Sequence, residues 1–124
     1  MPRKPTDYTD LVHGTSDGFR RTVRYKTSSS SSWTAVDLSA ATAVHVYLIN
    51  EAGTVVHEFE GVGDDAALFT LGDDGVLEFQ AALTTFDADD IDSYILRVKV
   101  TNTDWPAGKV FAAAKGVRII AMGA

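Results

Sequence analysis

Period-two alternation of apolar and polar side chains, broken by turn residues every ~8–12 positions, most restricts what this chain can fold into. Residues 37–59, DLSAATAVHVYLINEAGTVVHEF, carry the pattern most clearly. A polar corner at Asp37 and Ser39 leads into a β-branched and aromatic run over residues 44–49, a turn at Asn50, Glu51, Ala52 and Gly53, and a second run to Phe59. Val44, Val46 and Leu48 alternate with His45 and Tyr47, so one face of this hairpin is buried. A loop with an even residue count puts Val46 and Leu48 on the same side as Val55 and Phe59 and sends Glu58 and Glu60 to water, and this register is preferred. A three-residue loop with Gly53 in the left-handed region is the alternative.

Other segments repeat the signal. Phe19, Arg21, Val23 and Tyr25 alternate with Arg20, Thr22 and Arg24 in a first strand, which leaves Arg21 facing inward unless a bulge or an edge position accommodates it. Five serines, residues 28–32, form a loop, and residues 33–38 return as a short strand with Trp33 or Val36 available to the core. Around Gly72, Asp73, Asp74 and Gly75 the pattern selects a three-residue loop that pairs Leu71 with Leu77, Phe69 with Phe79 and Ala67 with Ala81, with Gly75 left-handed. Residues 84–93 read as a corner or a single helical turn, N-capped by Thr84 or Thr85. Tyr94, Leu96, Val98 and Val100 mark a central strand with one polar face, and residues 109–114 and 117–122 close the fold. The expected core includes Val46, Leu48, Phe69, Leu77, Phe79, Leu96 and Val98.

Seven to nine short strands of this kind predict an all-β fold, an antiparallel immunoglobulin-like β-sandwich, with a small barrel as the alternative. At 124 residues the chain has room for one two-layer core, over residues 17–124. Residues 1–16, with Pro2 and Pro5 and no periodicity, read as an extended N-terminal arm. There are no cysteines, so neither disulfides nor thiolate metal sites contribute. No apolar run reaches the roughly 18 residues of a membrane span, and no secretory signal is evident, so a soluble protein made in a cytoplasm is expected.

Net charge is -6, unevenly distributed. Residues 1–26 net +3, with Arg3, Lys4, Arg20, Arg21, Arg24 and Lys26 against three acids, while residues 27–124 net -9. A basic leading segment on an acidic body suits docking on an acidic neighbour, copies of the same chain included; a solvated strand face accounts for it equally well.

No catalytic constellation is expected: the letters GxSxG occur at Gly14-Thr15-Ser16-Asp17-Gly18, but a strand pattern and not a helix follows them, so they do not read as a nucleophile elbow, and no site for a small-molecule substrate or a cofactor is expected. His45 and His57 fall on opposite faces in the preferred register, which argues against a shared zinc. The acidic clusters Asp64–Asp65, Asp73–Asp74 and Asp87, Asp89, Asp90 and Asp92 lack EF-hand spacing, so no metal is expected. Aromatics Trp33, Trp105, Tyr8, Tyr47 and Tyr94 supply material for a sugar-stacking platform, although Tyr47 and Tyr94 fit core positions. Trp105, in a loop beside Pro106, reads as an interface anchor. The acidic body disfavours nucleic acid.

The order VDLSAATAVHVYL, GDDGVLEF, TTFDADDIDSYILRVKV and PAGKVF followed by GVRI resembles the small immunoglobulin-like structural proteins of tailed bacteriophages, similar to the N-terminal domain of baseplate upper proteins. The resemblance covers residues 17–122 through the corner Asp37, Leu38 and Ser39, the strand from Gly75 to Phe79 and the Asp92-Ser93-Tyr94 lead-in, where the family usually has glycine before tyrosine. It implies a non-enzymatic virion protein, synthesised in the bacterial host cytoplasm and acting as a connector, neck, baseplate or capsid-decoration subunit. Its partners would be other phage structural proteins and copies of itself, without nucleic acid, membrane or small-molecule substrate. Arg3, Lys4, Tyr8 and Trp105 are the expected interface residues. The alternative is an accessory module that binds calcium or carbohydrate.

Overall fold

The computed structural model describes residue 5 and residues 7–26, 32–113 and 115–122. Arg3, Lys4 and residues 28–31 of the serine run lie outside the described residues. Two sheets and a small ribbon hold the strands. The larger sheet contains β1 (Asp7–Val12), β5 (Ala43–Ile49), β6 (Val55–Glu60), β9 (Asp92–Thr101), β10 (Lys109–Ala112) and β11 (Lys115–Ile120). The smaller contains β2 (Gly18–Thr22), β7 (Phe69–Leu71) and β8 (Val76–Gln80), and β3 (Arg24–Tyr25) pairs with β4 (Thr34–Ala35).

The larger sheet runs β1-β11-β9-β5-β6, and β10 lies against β9 beyond β11. β10 and β11 thus both line the same side of β9: Lys109 to Ala112 pair with Val100 to Arg97, and Val117 to Ile119 pair with Tyr94 to Asp92. The smaller sheet runs β2-β8-β7. The inward side chains of both sheets merge in one core, so the architecture is the expected all-β, immunoglobulin-like sandwich. Among the described residues all pairings are antiparallel except β1 with β11, which is parallel.

That parallel pair corrects the boundary of the arm. Residues 7–12 are a sheet strand, with Asp7 to Val12 matched one for one to Lys115 to Ile120. Leu11 is buried in the core, while Asp10 accepts from Arg118 Nε at 2.7 Å on the outer face. Leu11 and Val12 after a mostly polar run are a weak apolar signal. The partner strand supplies the burial that the segment's own composition does not advertise.

Both readings of the residue 37–59 hairpin are realised, in different places. Asn50 N donates to Thr54 O, so the loop is the three-residue one, with Gly53 at φ 86°. The ladder then shifts between Leu48 and Ile49: Ile49 pairs with Val55 but Leu48 pairs with His57. Val56 is the extra residue of a bulge, and it restores the even parity, which places Val46 opposite Phe59 and faces Glu58 and Glu60 outward. Val55 does not join the core and stays exposed.

The β7–β8 register is the predicted one, with Phe69 opposite Phe79, Thr70 opposite Glu78, Leu71 opposite Leu77, and Gly75 at φ 83°. Ala67 does not reach Ala81, because residues 66–68 form a 3₁₀ turn and Ala81 N donates to Asp17 O instead. Phe79 is the hub of the aromatic core, with ring centroids 5.0 Å from Phe19, 5.1 Å from Phe59 and 5.2 Å from Phe69. Six of the seven expected core residues are buried; Phe69 is only partly so, because β7 is the edge of its sheet.

Two short turns hold the sandwich corners. Asp37 caps the turn Leu38–Ala40, its Oδ1 accepting from Ser39 N at 3.0 Å and Ala40 N at 3.3 Å, which seats Leu38 fully in the core. The turn Ala88–Asp90 is capped by Asp87, not by Thr84 or Thr85, through a reciprocal box in which Asp90 Oδ2 accepts from Asp87 N. Thr85 instead accepts from Ala82 N.

Candidate interaction surface

The basic residues of the leading segment divide by what they touch. Arg20 pairs with Glu78 on the wet face of the smaller sheet. Arg21 turns inward from β2, an edge strand, and bridges the two sheets: its guanidinium donates to Thr9 Oγ1 at 3.0 Å, Gly116 O at 2.9 Å and Lys115 O at 3.3 Å. Burial lowers the Arg21 pKa from its ordinary value, partly offset by Asp7. Its edge position lets a buried-side arginine spend its donors on the open rim.

Arg24 and Lys26 do something else. Both lie over the ring of Trp33, at 4.5 and 4.8 Å from its centroid, on the β3–β4 ribbon. Trp33 is 52% exposed and does not reach the core, whereas Val36 does. A half-exposed tryptophan carrying two cations is a hot-spot type of surface, and neither cation has a carboxylate partner among the described residues.

Trp105 occupies the same end of the sandwich but is packed within its own chain. Asn102 Oδ1 accepts from Trp105 N at 2.8 Å, and Gly108 N donates to Trp105 O at 2.9 Å, so the loop folds back over the end of the sandwich. The ring meets Tyr25 edge-on at 5.4 Å and Phe111 at 5.7 Å, and Lys109 Nζ sits 5.2 Å from its centroid. A cleft of about 270 Å³ lined by Tyr25, Asp37, Asn102 and Trp105 lies beside this contact. The loop assignment of Trp105 is correct; the freely presented aromatic at this end is Trp33. Tyr8 lies on the outer face of β1 with its ring against Gly116, where even a Cβ would come within 2.8 Å of it.

The five aromatics do not form a common platform. Tyr94 is buried, and Tyr47 lies on the outer face of the larger sheet, opposite Arg97 and Glu58. Burial, and then Glu58, raises the Tyr47 pKa. The histidines sit on opposite faces. His45 Nδ1 is 3.1 Å from Glu58 outside, whereas His57 Nε2 is 2.8 Å from Asp90 inside, with its ring edge-on to Phe86. Several of the clustered carboxylates are engaged locally: Asp65 accepts from Glu60 N, Asp74 from Val76 N, Asp87 from Asp89 N and Asp92 from Ser93 N. Among the described residues no three His, Asp or Glu side chains converge as a metal set.

Neither a family model nor a curated protein matches the chain. Among solved structures, extracellular domains 3–5 of Drosophila OTK are similar at 13% identity and a TM-score of 0.36, over 95% of this chain and 33% of that one. The chain thus spans about a third of the length of that neighbour.

Proposed function

We propose that this protein is a non-enzymatic structural subunit of a tailed-phage virion, a connector, neck, baseplate or decoration protein that works through protein–protein contacts. The motif order of the sequence motivates the virion setting. The observation that carries the contact role is the exposed Trp33 held beneath Arg24 and Lys26, on a chain whose remaining body is acidic. Tryptophan and arginine together are the residue types that dominate binding energy at interfaces, and the basic pair selects an acidic partner surface.

Co-purification with assembled particles tests the reading. The chain should band with particles in a fixed ratio, and Trp33→Ala should lower its incorporation about tenfold while leaving the fold intact. Recovery only in the particle-free fraction overturns the assignment.

A further inference from the structure

The outer face of the larger sheet carries its charge in stripes. On β9, Arg97 and Lys99 point outward; on β6, Glu58 and Glu60 do. β5 lies between them, with Tyr47 in the row of Arg97 and Glu58 and His45 in the row of Lys99 and Glu60. Two strand spacings, about 10 Å, separate each base from the acid in its own row, too far for an ion pair within the chain. Among the described residues, Arg97, Lys99 and Glu60 have no ion-pair partner, and Glu58 meets only His45. Next to these rows runs an apolar one. Ile95 pairs with Ile49, and Ile49 with Val55. Ile49 is buried yet belongs to the outer face and not to the core cluster, and Val55 beside it is 47% exposed.

We infer that this face docks a second copy of the chain about a two-fold axis lying along β5. Such an axis carries β9 of each copy over β6 of the other and keeps every row at its own height. Lys99 of one copy then meets Glu60 of the other, and Arg97 meets Glu58, each pairing occurring twice. The other in-plane axis, across the strands, sets β9 over β9 and opposes like charges. Only the axis along β5 makes the face self-complementary, and it does so on a chain whose overall charge of -6 repels its copies elsewhere. In the apolar row the exposed Val55 and the half-buried Ile95 give the contact an apolar strip beside the charges, with Ile49 between them already covered. This face is distinct from the Trp33 end, so the inference stands or falls separately from the proposed function.

Sedimentation of the full chain at low salt, over a concentration series, tests it. The protein should dimerise, and added salt should weaken the dimer. Lys99→Glu and Glu60→Lys should each raise the dissociation constant about tenfold or more, because each brings two like-charge contacts into a symmetric dimer. An equimolar mixture of the two variants should then form a heterodimer, since both cross-copy contacts become complementary again. A folding defect in either variant shows in its circular dichroism, and mixing does not repair it. Trp33→Ala should leave dimerisation unchanged. A wild-type chain that stays monomeric, a dimer indifferent to both substitutions, or single variants that dissociate and fail to pair on mixing would each overturn the inference.

Discussion

Tyr94 donates its phenolic hydroxyl to the backbone carbonyl of Asp90 across 2.7 Å, pinning the start of β9 to the turn that precedes it. This is the tyrosine corner of immunoglobulin-like sandwiches; Leu96, two residues on, fills a fully buried position where antibody domains place a cysteine. Asp90 is shared further, since its carboxylate also meets His57 Nε2 at 2.8 Å, so β6, the turn and β9 are fastened at one point.

Removing the hydroxyl alone probes that fastening. Tyr94→Phe should cost about 1 kcal/mol in denaturant unfolding, with the slope of the transition unchanged. Burial, reinforced by Asp90 and Asp92, pushes the Tyr94 pKa from 10.0 up to about 12. The folded state therefore holds this proton more tightly than the unfolded chain. Its contribution to stability is complete below pH 10.0 and is lost as pH rises towards about 12. Alkaline unfolding monitored by tyrosinate absorbance should begin in that window for the parent, and Tyr94→Phe should flatten the dependence. An unchanged alkaline profile in the variant would exclude Tyr94 as its source.

Phe79 touches four other phenylalanines, Phe19, Phe59, Phe69 and Phe86, from both layers of the sandwich. Phe79→Ala should cost about 3–5 kcal/mol, much of the stability of a domain this size. Thermal melting within a degree or two of the parent would contradict this packing.

Gly53 and Gly75 share the left-handed conformation but not their surroundings. A Cβ at Gly53 meets nothing within 4 Å, whereas one at Gly75 falls 2.6 Å from Val23 O. Gly53→Ala should therefore cost only the conformational penalty of about 1 kcal/mol, and Gly75→Ala distinctly more. Equal losses in urea titrations would show that the close approach of Gly75 to β2–β3 relaxes freely.

The fork of Arg21 links β1 and β11 to the smaller sheet. Arg21→Lys keeps the charge but cannot span the same acceptors, so it should destabilise by about 1.5–3 kcal/mol. Amide exchange at Thr9, Asp10 and Leu11 should quicken along with it. Arg21→Lys with parental exchange at those amides would assign the clamp to charge alone.

Local patterning determined a good deal by itself. Alternation at Tyr94, Leu96, Val98 and Val100 identified the central strand, and the paired apolar residues around Gly75 determined a whole register, because period-two side chains leave one pairing that buries both faces together. Less legible was the route to the parity of the β5–β6 hairpin: the turn at Gly53 and the bulge at Val56 each flip the faces, and together they restore the expected pairing of Val46 with Phe59. Likewise β1 has one buried leucine and becomes a strand only because β11 offers it an edge, Val36 and not Trp33 enters the core, and Trp105 packs on Tyr25 once the loop at Asn102 folds back. Sequence records which side chains seek burial nearby; which distant strand supplies that burial, and which aromatic is left outside, depends on contacts between residues far apart in the chain, and those exist only once the two sheets have closed on each other.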